Sequence, residues 1–347
     1  MSNKTCKAGI IGLGFIGGAD QVSGDALGQR VDGLDGTHFY AYTNHPQVEI
    51  VAGSSRDAGR RLRFEERSGA KTYSDWRDML EKEQLDIVSV ATYTPQHAEM
   101  TIGCAEKGVG AIFCEKPIAA TLNEAARMVA ACTASGSLLV INHQRRFNAN
   151  LRRLRGFIAE GGVGDLVSVS AQWTAGRFGN VGTHMIDALH MITSRPVEAV
   201  CAKLDLAGKP DCRGPAFADP GGWAMIRFEG GLMGFLNAPD YGFIEAAISV
   251  FGTEGRVVIE GSTIRIETRD GAKEEWPIHD PTVSGMDRAV EEIVNTICDG
   301  AIFPYDVGDA VRTHEVIVGT HASHRRGGSW VDLPLEGEDR EIAVNSG

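Results

Sequence analysis

The sequence predicts an α/β protein in two parts, a doubly wound parallel sheet followed by an α+β part on a mostly antiparallel sheet. Three observations carry this. Short β-branched runs alternate with helical stretches up to residue 141, longer alternating strands joined by direct turns follow, and a glycine-rich turn closes the first strand. Short buried strands separated by helices need crossovers and pair in parallel, with helices on both faces.

In the first part, the strand Lys7–Ile11 runs directly into G-L-G-F-I-G at 12–17. Val48–Ala52 is a second strand, Asp75–Glu83 a helix and Ile87–Ala91 a buried strand. The helix Ala98–Lys107 stops at Gly108, and the strand Ala111–Cys114 leads into Glu115-Lys116-Pro117. The helix Thr121–Cys132 opens with a capping box, Thr121 as N-cap and Glu124 reaching back, before the strand Leu138–Ile141. The second part has strands at Val167–Thr174, Ala199–Leu206, Trp223–Phe228, Leu232–Leu236, Ala246–Phe251, Arg256–Glu260 and Ile264–Thr268. The turns Glu229-Gly230-Gly231 and Gly261-Ser262 join neighbours as hairpins. Helices are expected at Leu151–Glu160, Thr183–Thr193, Met286–Cys298 and Gly308–Ser323, giving domains 1–145 and 146–347.

Two segments resist a compact plan. Ala19–Gly36 occupies the place of a Rossmann first helix but carries Gly24, Gly28, Gly33 and Gly36, so it reads as an insertion near the phosphate turn. Ala207–Gly222, rich in glycine and proline, reads as a surface loop.

Composition removes whole classes of function. With 347 residues the chain suits two domains, and 46 acidic against 34 basic side chains give a net charge of −12. Nucleic-acid binding needs a basic footprint, so it is not expected. No apolar run reaches the roughly 18 residues of a membrane span, the first strand follows Met1 with no signal peptide expected before it, and a cytoplasmic protein is expected. The seven cysteines are an odd set without a C-x-x-C pair, expected as reduced thiols and not as a disulfide frame or zinc site.

The pattern G-x-G-x-x-G is weak alone, but here it follows a strand as a dinucleotide site requires. Gly12 permits the tight turn, Gly14 lets the backbone approach a pyrophosphate and Gly17 packs on the strand, with Phe15 and Ile16 between them. An NAD site usually places Asp or Glu at the end of the second strand. Here Ser54, Ser55 and Arg56 stand there, with Arg60 nearby, which favours NADP over NAD because a guanidinium suits a 2′-phosphate. Asp57 is the ribose ligand instead if the strand ends later.

The G-L-G-F-I-G turn, A-T-Y-T-P-Q-H at 91–97, C-E-K-P at 114–117, N-H-Q-R-R-F-N at 142–148, G-T-H-M-I-D at 182–187 and F-G-T-E-G-R at 251–256 follow in order. Together they resemble the glucose-fructose oxidoreductase / inositol dehydrogenase / rhizopine-catabolism (Gfo/Idh/MocA) family over nearly the whole chain. The resemblance implies a Rossmann domain, a second domain with an open sheet whose exposed face builds homodimers or homotetramers, and an active site between domains. It implies hydride transfer between nicotinamide and a ring carbon of a sugar, sugar derivative or cyclitol. It also implies a cis peptide at Lys116-Pro117.

By the same resemblance Lys116 is the catalytic lysine, hydrogen-bonding the reacting oxygen, with Glu115 beside it at the cofactor. His184 is the general acid/base, since histidine titrates near neutral pH. Asp187, three residues on, lies on the same helical face and orients the ring. His190, six residues on, turns away, so H-x-x-D-x-x-H is no metal site. Many polyol dehydrogenases of the family carry Asp where Asn180 stands; an amide hydrogen-bonds a hydroxyl but takes no proton, which loads proton transfer onto Lys116 and His184. Thr92, Tyr93, Pro95 and His97 form the expected loop over the cofactor, with His97 equally readable as structural. Arg146 binds a substrate oxygen or braces the domain junction. Gln172 and Trp173 line the sugar site, or Trp173 is core. Arg152, Arg153 and Arg155 read as a solvated helix face, and His321 and His324 lack an acidic partner, so no metal is expected. Two other functions stay open: a glycosidase using NAD for transient oxidation, although Val181 stands where its catalytic tyrosine would be, and a non-catalytic dinucleotide-sensing regulator, which retention of Lys116 and His184 disfavours.

Overall fold

The computed structural model describes residues 5–22, 36–174, 176–206, 217–240, 243–278 and 283–346. These form two compact units, Met1–Ala119 with Glu124–Gln144 and Val283–Val307, and Ala120–Asn123 with Arg145–Thr282 and Gly308–Gly347.

The first unit is built in chain order from β1 (Cys6–Ile11), α1 (Phe15–Gly18), α2 (His38–Asn44), β2 (Val48–Ser54), α3 (Ala58–Ser68), β3 (Lys71–Tyr73), α4 (Trp76–Lys82), β4 (Ile87–Val90), α5 (His97–Glu106), β5 (Ala111–Cys114), α6 (Leu122–Ser135) and β6 (Leu138–Ile141). Its six strands lie in the order β3-β2-β1-β4-β5-β6, all parallel, the doubly wound order with its switch between β1 and β4. β4 and β5 are buried along their whole length, which is why both read as unbroken apolar runs. α1 is one turn ending at Ala19 in the left-handed region, and the next helix among the described residues is α2, where the Thr37 hydroxyl caps Tyr40 N–H. Most of the expected insertion, residues 23–35, lies outside the described residues.

The second unit contains α7 (Ala149–Ala159), β7 (Leu166–Gln172), α8 (Thr183–Thr193), β8 (Val197–Leu204), β9 (Gly222–Phe228), β10 (Met233–Ala238), β11 (Ala247–Gly252), β12 (Gly255–Glu260), β13 (Thr263–Thr268) and β14 (Lys273–Pro277). After α9 (Gly285–Asp299), which belongs to the first unit, the chain closes with α10 (Val307–Arg325) and β15 (Val331–Asp332). The sheet runs β14-β13-β12-β11-β7-β10-β9-β8-β15, antiparallel except between β7 and β10. β9 alternates buried and exposed residues, so one face packs with α7, α8 and α10 in a common core while the other exposes Trp223, Met225 and Phe235. α8 is buried nearly all round, as its apolar sequence requires.

Two expectations change. Residues 283–307, read as part of the second domain, cluster with the first unit: Asn44 Nδ2 donates to Asp287 at 3.2 Å, and the Cys298 sulfur lies beside that of Cys6. The loop 207–222 is not wholly superficial, because Asp219 is buried and Gly222 enters β9; residues 207–216 lie outside the described residues.

Candidate active site

β1, β4 and β5 are neighbours, and each delivers one part of the first unit's site at its C-terminal end. Gly12 follows β1 with φ +96° and donates its N–H to Ser54 O at 2.9 Å. A Cβ there would stand 2.2 Å from Ala91 O, and one on Gly17 would stand 1.9 Å from Gly12 O, so neither position accepts a side chain. Gly14 has ordinary extended backbone, and what it offers is the absence of a side chain. α1 is too short to sum a large dipole, so its contribution to an anion is its free N–H groups. Phe15 is half-buried and Ile16 exposed on that turn.

The end of β2 differs from the sequence expectation by two residues. The strand continues through Ser54, which is buried, so its hydroxyl is not a ribose ligand; its carbonyl holds the Gly12 turn. Ser55 is half-buried, and the exposed Arg56 side chain has no ion-pair or hydrogen-bond partner among the described residues. Asp57 N-caps α3, accepting from Arg60 N–H at 2.8 Å. Arg61 donates to the carbonyls of Ser55 and Arg56 at 2.7 and 3.0 Å, holding a second guanidinium at this edge. Arg60, the expected helper, faces Asp20 at 3.9 Å, and Arg63 grips the same buried carboxylate at 2.8 and 2.7 Å, holding Asp20 below its usual range.

At the end of β5, Lys116 is half-buried and the Lys116-Pro117 peptide is cis. Glu115 is buried, and its carboxylate accepts from His38 Nε2 at 3.1 Å, Asn142 Nδ2 at 2.5 Å and the Lys116 N–H at 3.3 Å. Behind it, His38 Nδ1 lies 2.7 Å from Ser89 Oγ, itself 2.6 Å from the Tyr42 hydroxyl. A carboxylate only accepts, so Nε2 carries the donated proton, and Nδ1 is satisfied by Ser89, whose Oγ in turn meets the Tyr42 hydroxyl. Burial pushes the Glu115 carboxyl up, but the His38 bond and charge, Lys116 and Asn142 outweigh it and hold the group at about 2. Glu115 is thereby a buried support for the residue that follows it.

For His97 the structural alternative fits. It is fully buried, with Nδ1 2.8 Å from Pro117 O and Nε2 2.9 Å from Thr92 O. The ring ties the loop after β4 to the turn after β5, and burial lowers its basicity. It therefore braces the loop on which Tyr93 and Pro95 are exposed and Thr92 is half-buried.

In the second unit, Arg177 takes a left-handed conformation and opens a wide π-helical turn, Phe178–Gly182, closed by Gly182 N–H to Arg177 O at 3.1 Å. Such turns recur at functional sites. The buried Asp219 carboxylate accepts from the N–H groups of Gly179 and Asn180 at 2.7 and 2.8 Å and from the Ser346 hydroxyl at 2.7 Å. Burial raises Asp219, and these three donors offset part of that. α8 follows at once, with Asn180 and His184 half-buried at helical neighbour spacing.

Asp187 is fully buried and receives Arg146 Nε at 2.9 Å on both oxygens, with Thr313 at 3.3 Å. Arg146 turns its Nη1 to Asp309 at 2.6 Å. What the structure shows is neither expected role: the guanidinium is buried between carboxylates of its own unit and ties α8 to α10. Trp173 is core: it is 1% exposed, donates Nε1–H to Gly176 O at 2.6 Å and packs edge-on against Phe178. On α7 Arg153 and Arg155 are exposed, as a solvated face requires, with Arg153 3.7 Å over the Trp276 ring, while Arg152 is half-buried and donates to Arg146 O at 2.6 Å. Sequence reasoning missed His38, Asn142, Ser89, Asp219 and Asp309. Asn142 lies inside the N-H-Q-R-R-F-N motif, the one available signal.

A parallel sheet of this order with a side-chain-free turn at its switch defines a dinucleotide-binding fold. The chain matches the model of the oxidoreductase family with NAD-binding Rossmann fold over residues 6–143 and that of the Gfo/Idh/MocA C-terminal domain over 171–258. It belongs to the Gfo/Idh/MocA family of oxidoreductases. It is 25% identical over 350 residues to levoglucosan dehydrogenase of Pseudarthrobacter phenanthrenivorans, covering 88% of this chain and 83% of that one. Identity to myo-inositol 2-dehydrogenase of Thermotoga maritima is 26%, covering 72% and 74%. Among solved structures, levoglucosan dehydrogenase with NADH and levoglucosan superposes with a TM-score of 0.80 at 21% identity, covering 96% and 100%. The WlbA dehydrogenase of Bordetella pertussis with NADH and UDP-GlcNAcA gives 0.77 at 20%, covering 97% and 100%. Among the described residues no helix is long and apolar enough to cross a membrane.

Glu115 predicts a pH effect. Its folded value lies below its ordinary 4.5, so the stability it contributes is fully present above about 4.5 and lost as pH falls toward about 2. Urea unfolding across that interval should show Glu115→Gln less stable at neutral pH but with a flatter pH dependence than the parent. Parallel losses in the two proteins would contradict this.

Proposed function

We propose that the protein transfers hydride between a nicotinamide dinucleotide and a carbinol ring carbon of a sugar, sugar derivative or cyclitol. The observation that carries this is Lys116, half-buried beside a fully supported Glu115 just past the end of β5, the neighbour of the strand β4 that leads into Ala91. Gly12, which a Cβ would drive into Ala91 O, fits a cradle for the dinucleotide. When bound, the nicotinamide supplies the hydride acceptor or donor. Gly12, Gly14 and Gly17 would hold the pyrophosphate with backbone N–H groups, under the Thr92–Pro95 loop. Lys116 Nζ donates to the reacting oxygen and favours its alkoxide character, and His184 is the proton acceptor during oxidation. Asn180 binds a neighbouring hydroxyl. Asp187, engaged by Arg146, fixes α8. Relatives named for levoglucosan, inositol and D-apiose support the substrate class.

The finer reading is a preference for NADP. It is supported by the unpartnered Arg56 and the adjacent Arg61 guanidinium, and by Asp57 being engaged as a helix cap. A second copy of the chain is the proposed cover for the Trp223, Met225 and Phe235 face; light scattering that finds only monomer removes this part.

Lys116→Ala should lower kcat on a responsive polyol by roughly 10²–10⁴-fold, the range of a lost proton-handling group, while cofactor binding persists. Unchanged turnover would sink the mechanism, and glycoside cleavage without net cofactor reduction would favour transient oxidation. Arg56→Ala should weaken NADP by about 10–100-fold, one charge-assisted contact, and leave NAD nearly unchanged. Titration of both cofactors decides; tighter NAD binding by the parent protein overturns the preference.

A further inference from the structure

The C-terminal end of α8 carries a concentration of charge that the proposed reaction does not use. A cavity of about 330 Å³ opens there, lined by Arg146, Arg155, Arg195 and Arg312, with Asp309 as its one lining carboxylate among the described residues. Asp309 accepts from Arg146 at 2.6 Å and also from Arg312, and Asp187 takes the other side of Arg146. Two carboxylates therefore answer two of the four guanidiniums. Arg155 donates Nε–H only to a neutral partner, Ser194 Oγ at 3.1 Å. The Arg195 side chain has no ion-pair or hydrogen-bond partner among the described residues. His190, also on the wall, is held neutral by burial at about 4 and adds no charge. About two positive charges are left facing one concavity.

A simpler account is that the arginines answer the α8 C-terminus, whose free carbonyls amount to about half a negative charge. One guanidinium would cover that, and the remainder still exceeds it. The location separates the cavity from the proposed proton-handling end of the helix. His184 lies nine residues before the last residue of α8, about 14 Å of helix, and Arg195 follows beyond that end, out of reach of a single sugar ring bound at His184.

We propose that this cavity is an oxyanion site for the phosphoryl group of a small phosphorylated metabolite, acting as an effector and not as the hydride partner. Guanidinium forks pair with phosphate oxygens bidentately, and a phosphate dianion matches the surplus charge, where a carboxylate would leave half of it unanswered. The inference stands on the cavity and does not depend on the proposed reaction.

The test is calorimetric titration of the full chain with inorganic phosphate at ionic strength fixed by sodium chloride, with acetate as the carboxylate arm. Saturable phosphate binding tighter than acetate is expected. Arg155→Gln/Arg195→Gln should weaken it by at least about tenfold, one lost charge-assisted contact or more. Arg155→Lys/Arg195→Lys, keeping charge without the fork, should fall between. Arg195→Gln alone removes a side chain with no partner to lose, so it should fold normally and still weaken phosphate several-fold. Phosphate binding unchanged in these variants would locate the anion elsewhere, such as the glycine turn, and overturn the proposal. So would acetate binding equal to phosphate, or no phosphate binding at all.

Discussion

The first unit is organised around one buried carboxylate. A charge as enclosed as Glu115 is tolerated only if its lone pairs are answered, and three donors do this from three elements: His38 on α2, Asn142 after β6 and the Lys116 backbone. His38 is in turn fixed by Ser89 on β4, and Ser89 by Tyr42, so the position of α2 is dictated by the chemistry at the end of β5. This explains how α2 is correctly placed although the first turn stops at Ala19. It also gives Lys116 a rigid base, since the residue before it cannot turn without stripping a buried charge of its partners.

The second unit solves the same problem with the opposite sign. Arg146 is the enclosed charge, and Asp187 and Asp309 answer it from α8 and α10. Burial would raise the Asp309 carboxyl, but Arg146 and Arg312 bring it below its usual value. The helix that carries His184 is thereby anchored at its middle by an ion pair and at its entry by Asp219 under the π-turn. Each proposed proton-handling residue thus sits half-buried beside a group whose own charge is fully engaged. Removing Arg146 would leave the buried Asp187 without its counter-charge, at a cost of about 3–5 kcal/mol.

Much of this was legible in the sequence, and the failures have physical causes. Buried parallel strands such as β4 and β5 announce themselves as apolar runs, and β9 as a strict alternation, so the fold followed from pattern. β3 and β15 are too short to show a period, and β14 reads K-E-E-W-P, a charged edge strand with only Trp276 turned inward. α3 hid because its arginines outnumber its core residues, Phe64 being the one fully buried. At the site, Gly12, Gly17 and Lys116 were readable from motif and spacing. His38, Ser89 and Asn142 were not, because a hydrogen-bonded chain between strands leaves no periodic trace. Ser54 reads from the sequence as a ligand, and Trp173 and His97 read either as ligands or as structural; all three are buried, which spacing alone does not reveal.

Net charge and local charge part company in this molecule. The sequence total of −12 repels anions at long range, yet screening confines that repulsion to about 8–10 Å at physiological salt. Within that distance only near neighbours count. Arg56, Arg155 and Arg195 are guanidiniums without a carboxylate partner among the described residues, while the arginines of α3 and Arg146 are tied to Asp20, backbone carbonyls or Asp187. An acidic protein can therefore gather anions at two chosen places, the end of β2 and the end of α8, without becoming a general binder of polyanions. The arginines that hold the fold together are engaged by carboxylates or backbone carbonyls, and Arg56, Arg155 and Arg195 mark where a phosphate would be recognised.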